Sequence, residues 1–245
     1  MIKVRDLHKT LGTQSVLRGV DLEVAQGETC VIMGRSGCGK SVLLKHLIGL
    51  LKPTRGEVLI EGENIAGLEE RKLGLIRKKV GILFQSGALF DSMNVGENIA
   101  FPLKEAGVRD KKEIAERVAE ALEMVDLAGE EKKMPENLSG GMRKRVGLAR
   151  TIVGRPACIL YDEPTTGLDP IASDSINHLI RRLQKRLRVT SVVVTHDMKT
   201  AFHTADRIAY LHEGCIYFHG LPDALRTSTD PAIHDFIAGD SGDTD

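Results

Sequence analysis

The sequence lacks the features that identify several large classes of protein. Its 245 residues include no Trp, and only 4% are aromatic. No apolar run approaches the ~20 residues that a membrane-spanning helix requires, and the N-terminus lacks the charged, then apolar layout of a secretory signal. The four cysteines have no metal-ligand spacing, and Lys plus Arg equal Asp plus Glu at 34 each. We therefore expect a cytosolic protein without disulfides, zinc or a nucleic-acid partner.

The sequence does contain strand patterns of two kinds. Residues 19–24, GVDLEV, alternate apolar and polar side chains, which predicts a strand in a half-exposed antiparallel sheet. Short apolar, β-branched runs without alternation predict strands that are buried on both faces, as in a parallel sheet between helices. These runs are TCVIM (29–33), VGILF (80–84), CILYD (158–162) and SVVVT (191–195). The sequence therefore predicts an α/β fold with a mixed, mostly parallel sheet and an antiparallel β subdomain.

The stretch between the second and third buried runs is helical in character. Residues 110–129 carry apolar side chains at helical spacing, namely Ile114, Val118, Leu122 and Val125. We predict that residues 86–156 form a helical lobe inserted into the core.

The remaining segments complete a single predicted domain over residues 1–240. Residues 1–85 and 157–220 form its core, and the core ends in a hairpin that turns at Glu213-Gly214. Short helices over 221–239 and an acidic tail, 240–245, follow.

Cysteines and basic runs have mainly structural interpretations. Cys30, Cys158 and Cys215 lie in strand-like runs, which predicts small core residues. The basic runs 71–79 and 142–145 are predicted to be solvated helix faces, with anion or partner contacts as the alternative.

The first chemical motif is GRSGCGKS, which lies between the strand TCVIM and a helical run. The pattern G-x-x-x-x-G-K-[ST] in this context predicts a loop whose backbone amides surround a phosphate, assisted by the helix N-terminus. Lys40 is expected to reach the β and γ phosphates and Ser41 to bind Mg²⁺. A tight glycine turn without a ligand is the alternative. The predicted contact residues are Gly34, Arg35, Ser36, Gly37, Cys38, Gly39, Lys40, Ser41 and Val42.

Three further side chains follow the ends of predicted parallel strands, where ligands of such sheets bind. Asp162 ends CILYD and is the expected Mg²⁺ ligand, and Glu163 after it is placed to hold an attacking water. His196 ends SVVVT and is predicted to act at the same edge, a structural histidine being the alternative.

A second stretch, PENLSGGMRKRVGLAR, also places glycines at the start of a helix. Ser139, Gly140 and Gly141 offer a hydroxyl and helix-terminal amides to an anion. A separate hypothesis concerns Cys38, whose place near a helix N-terminus predicts a reactive thiolate, with an inert loop filler as the alternative.

At these residues the chain resembles the ATP-binding cassette (ABC) family, the nucleotide-binding subunits of ABC transporters, over essentially its whole length. Six motifs occur in the family's order: GRSGCGKS as Walker A, Gln85 as the Q-loop glutamine, LSGGM from Leu138 as the signature, ILYDE as Walker B, Asp169 in GLD as the D-loop, and His196 as the switch histidine.

The resemblance implies an ATPase in which two cassettes close head to tail. Each ATP would lie between one subunit's Walker A and the other's signature, with Gln85 serving both Mg²⁺ binding and catalysis. Two positions depart from the family. Leu11, before Gly12, replaces the aromatic residue that stacks on adenine, so Leu11 and Val16 are expected to give looser apolar packing on the base. Met142 replaces the signature glutamine, and we expect activity to survive this change.

One combination of segments is more specific than the ABC motifs. Residues 84–103, FQSGALFDSMNVGENIAFPL, with LSGGM and DEPTTGLDPIAS resemble the MlaF-type ATPases of MCE phospholipid transporters. The implied partners are a second copy, a membrane permease, an MCE-domain lipid-binding protein and a small regulatory subunit, at the cytoplasmic face of the inner membrane. Ala88, Leu89, Phe90 and Met93 then either line a groove for the permease or form the core of the lobe.

Other functions have weaker support in the sequence. An importer of a small polar solute, such as an amino acid or ion, is the alternative transporter. A chromosome-organising ABC ATPase would carry a long heptad coiled coil, and a ribosome-associated ABC protein would hold two cassettes in its chain. A P-loop kinase or GTPase would have no use for LSGGM, and Glu163 argues against a binding module without turnover.

Overall fold

The computed structural model describes residues 1–238, so the predicted acidic tail, 240–245, lies outside the described part. The strands are β1 Ile2–Leu11, β2 Gln14–Val24, β3 Thr29–Met33, β4 Arg55–Ile60, β5 Glu63–Asn64, β6 Val80–Leu83, β7 Cys158–Asp162, β8 Thr190–Thr195, β9 Arg207–His212 and β10 Cys215–Gly220. The helices are α1 Lys40–Leu47, α2 Glu70–Lys79, α3 Val95–Glu105, α4 Lys111–Met124, α5 Gly140–Ile152, α6 Pro170–Leu187, α7 Met198–Thr204, α8 Pro222–Arg226 and α9 Pro231–Ala238.

The chain forms two units. Unit 1 comprises Met1–Ile76 and residues 190–238, and unit 2 comprises Arg77–Val189. The predicted helical lobe falls within unit 2, together with strands that the sequence pattern assigns to the core, and its boundaries stay a prediction. Among residues 1–238, no helix combines the length and apolar character that a membrane crossing requires.

Unit 1 contains both kinds of predicted sheet. In the antiparallel sheet, β1 pairs with β2 and β4, and β4 pairs with β5. Val20, Leu22 and Val24 of β2 are buried, whereas Asp21 and Glu23 are exposed, which confirms the alternating pattern. The parallel strands β3, β8 and β9 are joined by an antiparallel β10, and every residue of β3 and β8 is buried.

Unit 2 is built around α5. This helix contacts α3, α4, α6 and β6, and β6 pairs in parallel with β7. On α4, Val118 and Leu122 are buried and Ile114 is half-buried, as the helical spacing predicts. Together the sheets and helices confirm the predicted mixed α/β class.

Two details differ from the sequence predictions. The strand predicted over 80–84 ends at Leu83, and Phe84 is exposed beyond it. Cys215 is half-buried instead of a core residue, because it begins β10 beside the hairpin turn, where its Sγ donates to Arg18 O at 3.2 Å. Cys30 and Cys158 are buried as predicted.

Candidate active site

The phosphate-type loop joins β3 to α1 in unit 1. Gly39 is the N-cap of α1 and adopts a left-handed conformation, with φ 109°, that favours glycine. A Cβ there would also lie 2.9 Å from Leu17 Cδ2. Because the cap residue has no side chain to accept from the first turn, α1 can present its first amides to an anion.

Lys40 organises the loop from within. Its side chain is buried, and its Nζ donates to Gly34 O at 2.7 Å and to Arg35 O at 3.0 Å. The backbone thus curves around an ammonium, which adds a full positive charge to the partial charge of the helix N-terminus. This arrangement is suited to a polyphosphate.

The surroundings of Cys38 favour the inert alternative over the reactive thiolate. Burial raises the pKa of the Cys38 thiol, and the opposing effects of Lys40 and of backbone hydrogen bonds do not compensate. The helix N-terminus is the local feature that suggested a thiolate, but desolvation by the surrounding loop outweighs it.

Two other predicted contacts in unit 1 lie near this loop. Val16 Cγ1 would be 3.2 Å from a Cβ on Gly39, so β2 packs against the start of α1. His196 directly follows β8, and the parallel register pairs Met33 of β3 with Thr195 of β8. Gly34 and His196, the next residues in the chain, therefore lie at the same edge of the sheet, after neighbouring strands. Leu11, at the end of β1, is 43% exposed, and its contact with a base stays a prediction.

The carboxylates lie in unit 2 at the end of β7. Asp162 is the last residue of that strand, and the parallel register pairs Leu83 with Tyr161, so Gln85 and Asp162 leave the same edge of the β6-β7 pair. Glu163 has φ 48°, a conformation that costs on the order of 1–3 kcal/mol in a non-glycine residue. Thr166 Oγ1 donates to Glu163 Oε2 at 3.2 Å. Seven other non-glycine residues of the described part also have positive φ, so the candidacy of Glu163 rests on its place after Asp162 at the end of β7.

The signature segment and Asp169 are neighbours in unit 2. Ser139 is the N-cap of α5, and its Oγ accepts from Met142 N at 3.2 Å. Asp169 is the N-cap of α6, where Oδ1 accepts from the amides of Ile171 and Ala172. A Cβ on Gly141 would lie 3.7 Å from Ala172 Cβ, so the two helix starts adjoin.

Sequence reasoning missed Lys144, which it placed on a solvated basic face. Lys144 is only 4% exposed, and its Nζ donates to Gln85 O and, at 3.2 Å, to Glu163 O. Helical periodicity carried a signal for this burial, because Lys144 lies four residues before Leu148 and eight before Ile152, both of which are buried. The basic residues of 71–79, in contrast, are mostly exposed, as predicted.

The segment 88–93 lies at the surface of unit 2. Ala88 and Phe90 are exposed, and Leu89 and Met93 are half-buried, which favours the groove interpretation over the core interpretation. The amide of Asn98 holds the segment, because its Nδ2 donates to Phe90 O and Met93 O and its Oδ1 accepts from Phe90 N. A role in permease binding stays a prediction.

Comparisons with known proteins give a consistent result. The model of the ABC transporter family matches residues 17–166. The chain is 42% identical over 238 residues to the probable ribonucleotide transport ATP-binding protein mkl of Mycobacterium leprae, covering 97% of this chain and 69% of that protein. It is 40% identical over 239 residues to the intermembrane phospholipid transport system ATP-binding protein MlaF of Escherichia coli K12, covering 98% of this chain and 89% of that protein. A solved dimer of the ATP-binding cassette MJ0796 bound to ADP and Pi superposes with a TM-score of 0.82 at 34% identity, covering 91% of this chain and 99% of that one.

Proposed function

Because the chain belongs to the ABC transporter family and is the ATP-hydrolysing, ATP-binding subunit of a transporter, we propose that it powers phospholipid movement between bacterial membranes. The observation that carries this proposal is the similarity to MlaF, which extends over 98% of this chain and 89% of that protein. The proposed partners are a permease, an MCE-domain protein and a small regulatory subunit. The permease would hold the chain at the cytoplasmic face of the inner membrane.

A second candidate follows from the other relative. The mkl protein is named for ribonucleotide transport and is 42% identical to this chain, although this chain covers only 69% of its length. A polar-solute transporter of this kind would use the same ATPase and a different permease. The two candidates therefore differ in their partners and not in their ATP chemistry.

The residues of the proposed site divide the chemical tasks among them, and Gln85 serves both Mg²⁺ binding and catalysis. The amides of the Gly34–Ser41 loop and the Lys40 ammonium bind the β and γ phosphates. Mg²⁺, when bound, neutralises phosphate charge, and the Ser41 hydroxyl, Gln85 amide oxygen and Asp162 carboxylate are the hard oxygen ligands that it prefers. Glu163 orients the attacking water, and His196 supplies a hydrogen bond to the γ phosphate.

We also propose that the active form contains a second copy of this chain. Ser139, Gly140, Gly141 and Asp169 of one subunit would then contact the nucleotide held by the other subunit's phosphate loop. The dimeric state of the solved MJ0796 cassette supports this assembly. A helix start that presents amides and a hydroxyl is chemically suited to a phosphate that the same subunit does not hold.

Capture of the assembled transporter tests the lipid proposal. The tagged chain is purified from its native membranes in mild detergent, and the co-purifying proteins are identified by mass spectrometry. We expect a multispan permease together with an MCE-domain protein. Recovery of a permease with a periplasmic solute-binding protein instead would refute lipid transport and favour the polar-solute candidate.

A matched pair of surface variants sharpens this experiment. Phe90 is 41% exposed in the segment proposed to bind the permease, and Leu221 is a similarly apolar residue of unit 1, 61% exposed. Phe90→Glu should lose the permease, because a carboxylate in an apolar groove is costly to desolvate, whereas Leu221→Glu should retain it. Equal retention by both variants would exclude the 88–93 segment as the docking surface.

A further inference from the structure

One face of α5 is fastened to the segment that contains the Q-loop glutamine. Two cationic side chains of the helix each donate to a backbone oxygen of this segment, Lys144 to Gln85 O and Arg150 to Gly87 O at 2.9 Å. Gly147 lies between them, where a Cβ would be 3.1 Å from Gly87 O, so the helix and the segment are in close contact. These contacts couple the position of the start of the Q-loop to the position of α5.

Lys144 and Arg150 differ in their second partner, because the Arg150 guanidinium lies 5.7 Å from the centroid of the Phe90 ring. The Lys144 Nζ also donates to Glu163 O, the backbone oxygen of the residue with the left-handed conformation. The Thr166 amide donates to the same oxygen at 3.3 Å. Burial lowers the pKa of the Lys144 ammonium, while Glu163 and Asp162 act in the opposite direction. A buried ammonium between two carbonyl oxygens fixes their separation, because losing either bond leaves a polar group unsatisfied.

We propose that Lys144 is a positioning residue that joins the backbone of Gln85 to that of Glu163 and so sets where the two side chains point. The inference rests on the proposed role of Glu163 as the residue that orients water. Lys144 lies five positions after Ser139 on one continuous helix. A displacement of the signature end of α5 would therefore reach Glu163 through a single side chain.

The first test measures ATP turnover by full-length variants with MgATP. Lys144→Met keeps the side-chain length and removes the donors. We expect kcat to fall roughly 10- to 100-fold, because a misplacement of about 1 Å at a reacting group costs on this order, while KM changes less than about threefold. Lys144→Arg keeps two donors and should recover most of the lost kcat.

Arg150→Met is the matched control. It also removes a cation of α5 that holds the Q-loop segment, but Arg150 has no bond to Glu163 O among the contacts described here. We expect its kcat to stay within about threefold of the wild-type value. An equal loss of kcat in both Met variants would overturn the proposal, because general loosening of the segment would then explain the effect.

A double variant and hydrogen exchange separate this proposal from the one on which it rests. If Lys144 acts through Glu163, adding Lys144→Met to Glu163→Gln should lower kcat far less than Lys144→Met does alone. Lys144→Met should also speed amide exchange at Thr166, whereas Arg150→Met should not. If Glu163→Gln hydrolyses ATP at the wild-type rate, the assigned role of Glu163 fails, and exchange at Thr166 still decides whether Lys144 holds this backbone. Unchanged exchange together with wild-type kcat in Lys144→Met would refute the positioning role.

Discussion

The starts of α1 and α5 are both glycine-bearing helix N-termini, yet they are built differently. At α1 the cap is Gly39 in a left-handed conformation, without a side chain that could accept from the first turn. At α5 the cap is Ser139 in an extended conformation, and its hydroxyl accepts from Met142 N. The first helix start therefore receives no hydrogen bond from its cap side chain, whereas the second is capped by its own serine.

The glycines of the two segments also serve different needs. A Cβ on Gly34 would lie 2.4 Å from Leu211 O and 2.6 Å from Cys38 Sγ, so the phosphate-loop glycine is required by packing. A Cβ on Gly141 would meet only Ala172 Cβ, at an ordinary 3.7 Å. The signature glycine is therefore not required by the packing of unit 2, which supports the proposed contact with a second copy.

The largest expected effect is the difference in stability between two glycine-to-alanine variants, one in each segment. Gly34→Ala should lower the free energy of unfolding by about 3 kcal/mol, the upper range for overpacking, and the melting temperature by roughly 6–12 °C. Gly141→Ala should leave stability unchanged or raise it by up to ~1 kcal/mol, because alanine favours helix. Thermal unfolding of both variants checks this, and equal losses would break the comparison.

Substitutions at Ser139 separate capping from nucleotide contact. In a Glu163→Gln background, hydrolysis should fall by about 10²- to 10⁴-fold and MgATP should hold two copies together, as light scattering would detect. Ser139→Ala loses the helix cap, which should lower the free energy of unfolding by about 1 kcal/mol and the melting temperature by roughly 2–4 °C. It also loses the proposed hydrogen bond to a charged phosphate, worth about 1.5–3 kcal/mol, so the dimer should dissociate more readily. Ser139→Asp caps the helix equally well but repels phosphate. An Asp variant that dimerises as tightly as Ser139 would show that this helix start does not face the nucleotide.

The smallest expected effect concerns the thiol of the phosphate loop. Because burial raises the pKa of Cys38, its thiolate fraction at pH 8 lies below that of an ordinary cysteine, whose pKa is about 8.5. Alkylation by iodoacetamide should be severalfold slower in the folded chain than in the urea-unfolded chain. The folded rate should still be rising above pH 9, where that of the unfolded chain levels off. Mass spectrometry of the Cys38 peptide measures both rates, and faster reaction in the folded chain would contradict the assignment.

Local patterns were sufficient to predict the main elements. The runs that form β3, β7 and β8 are short, rich in β-branched residues and without alternation. This pattern is typical of a strand that is covered on both faces. The strand-loop-helix context of the Gly34–Ser41 loop was equally predictable, because the loop and its flanking strand and helix are contiguous in the chain.

The parts that could not be predicted depend on distant segments. Helical periodicity could indicate that Lys144 is buried, but its partner Gln85 O lies 59 residues earlier in the chain, and nothing in MRKR identifies that partner. The raised pKa of Cys38 depends on desolvation, which a helix-terminus rule does not include. The left-handed backbone of Glu163 is held by tertiary contacts and has no glycine to signal it.

If Lys40 binds phosphate as proposed, the two carbonyl oxygens that it already contacts make nucleotide binding an exchange of hydrogen bonds instead of a simple addition. The ammonium already donates to Gly34 O and Arg35 O, so an incoming phosphate oxygen competes with the loop's own backbone. Only the difference between the two sets of hydrogen bonds contributes to affinity. We expect the ammonium to return to the same carbonyls when the product leaves, because they are its hydrogen-bond partners in the structure described here. An ATPase has to release its nucleotide in every cycle, and this exchange of hydrogen bonds at Lys40 would make binding readily reversible.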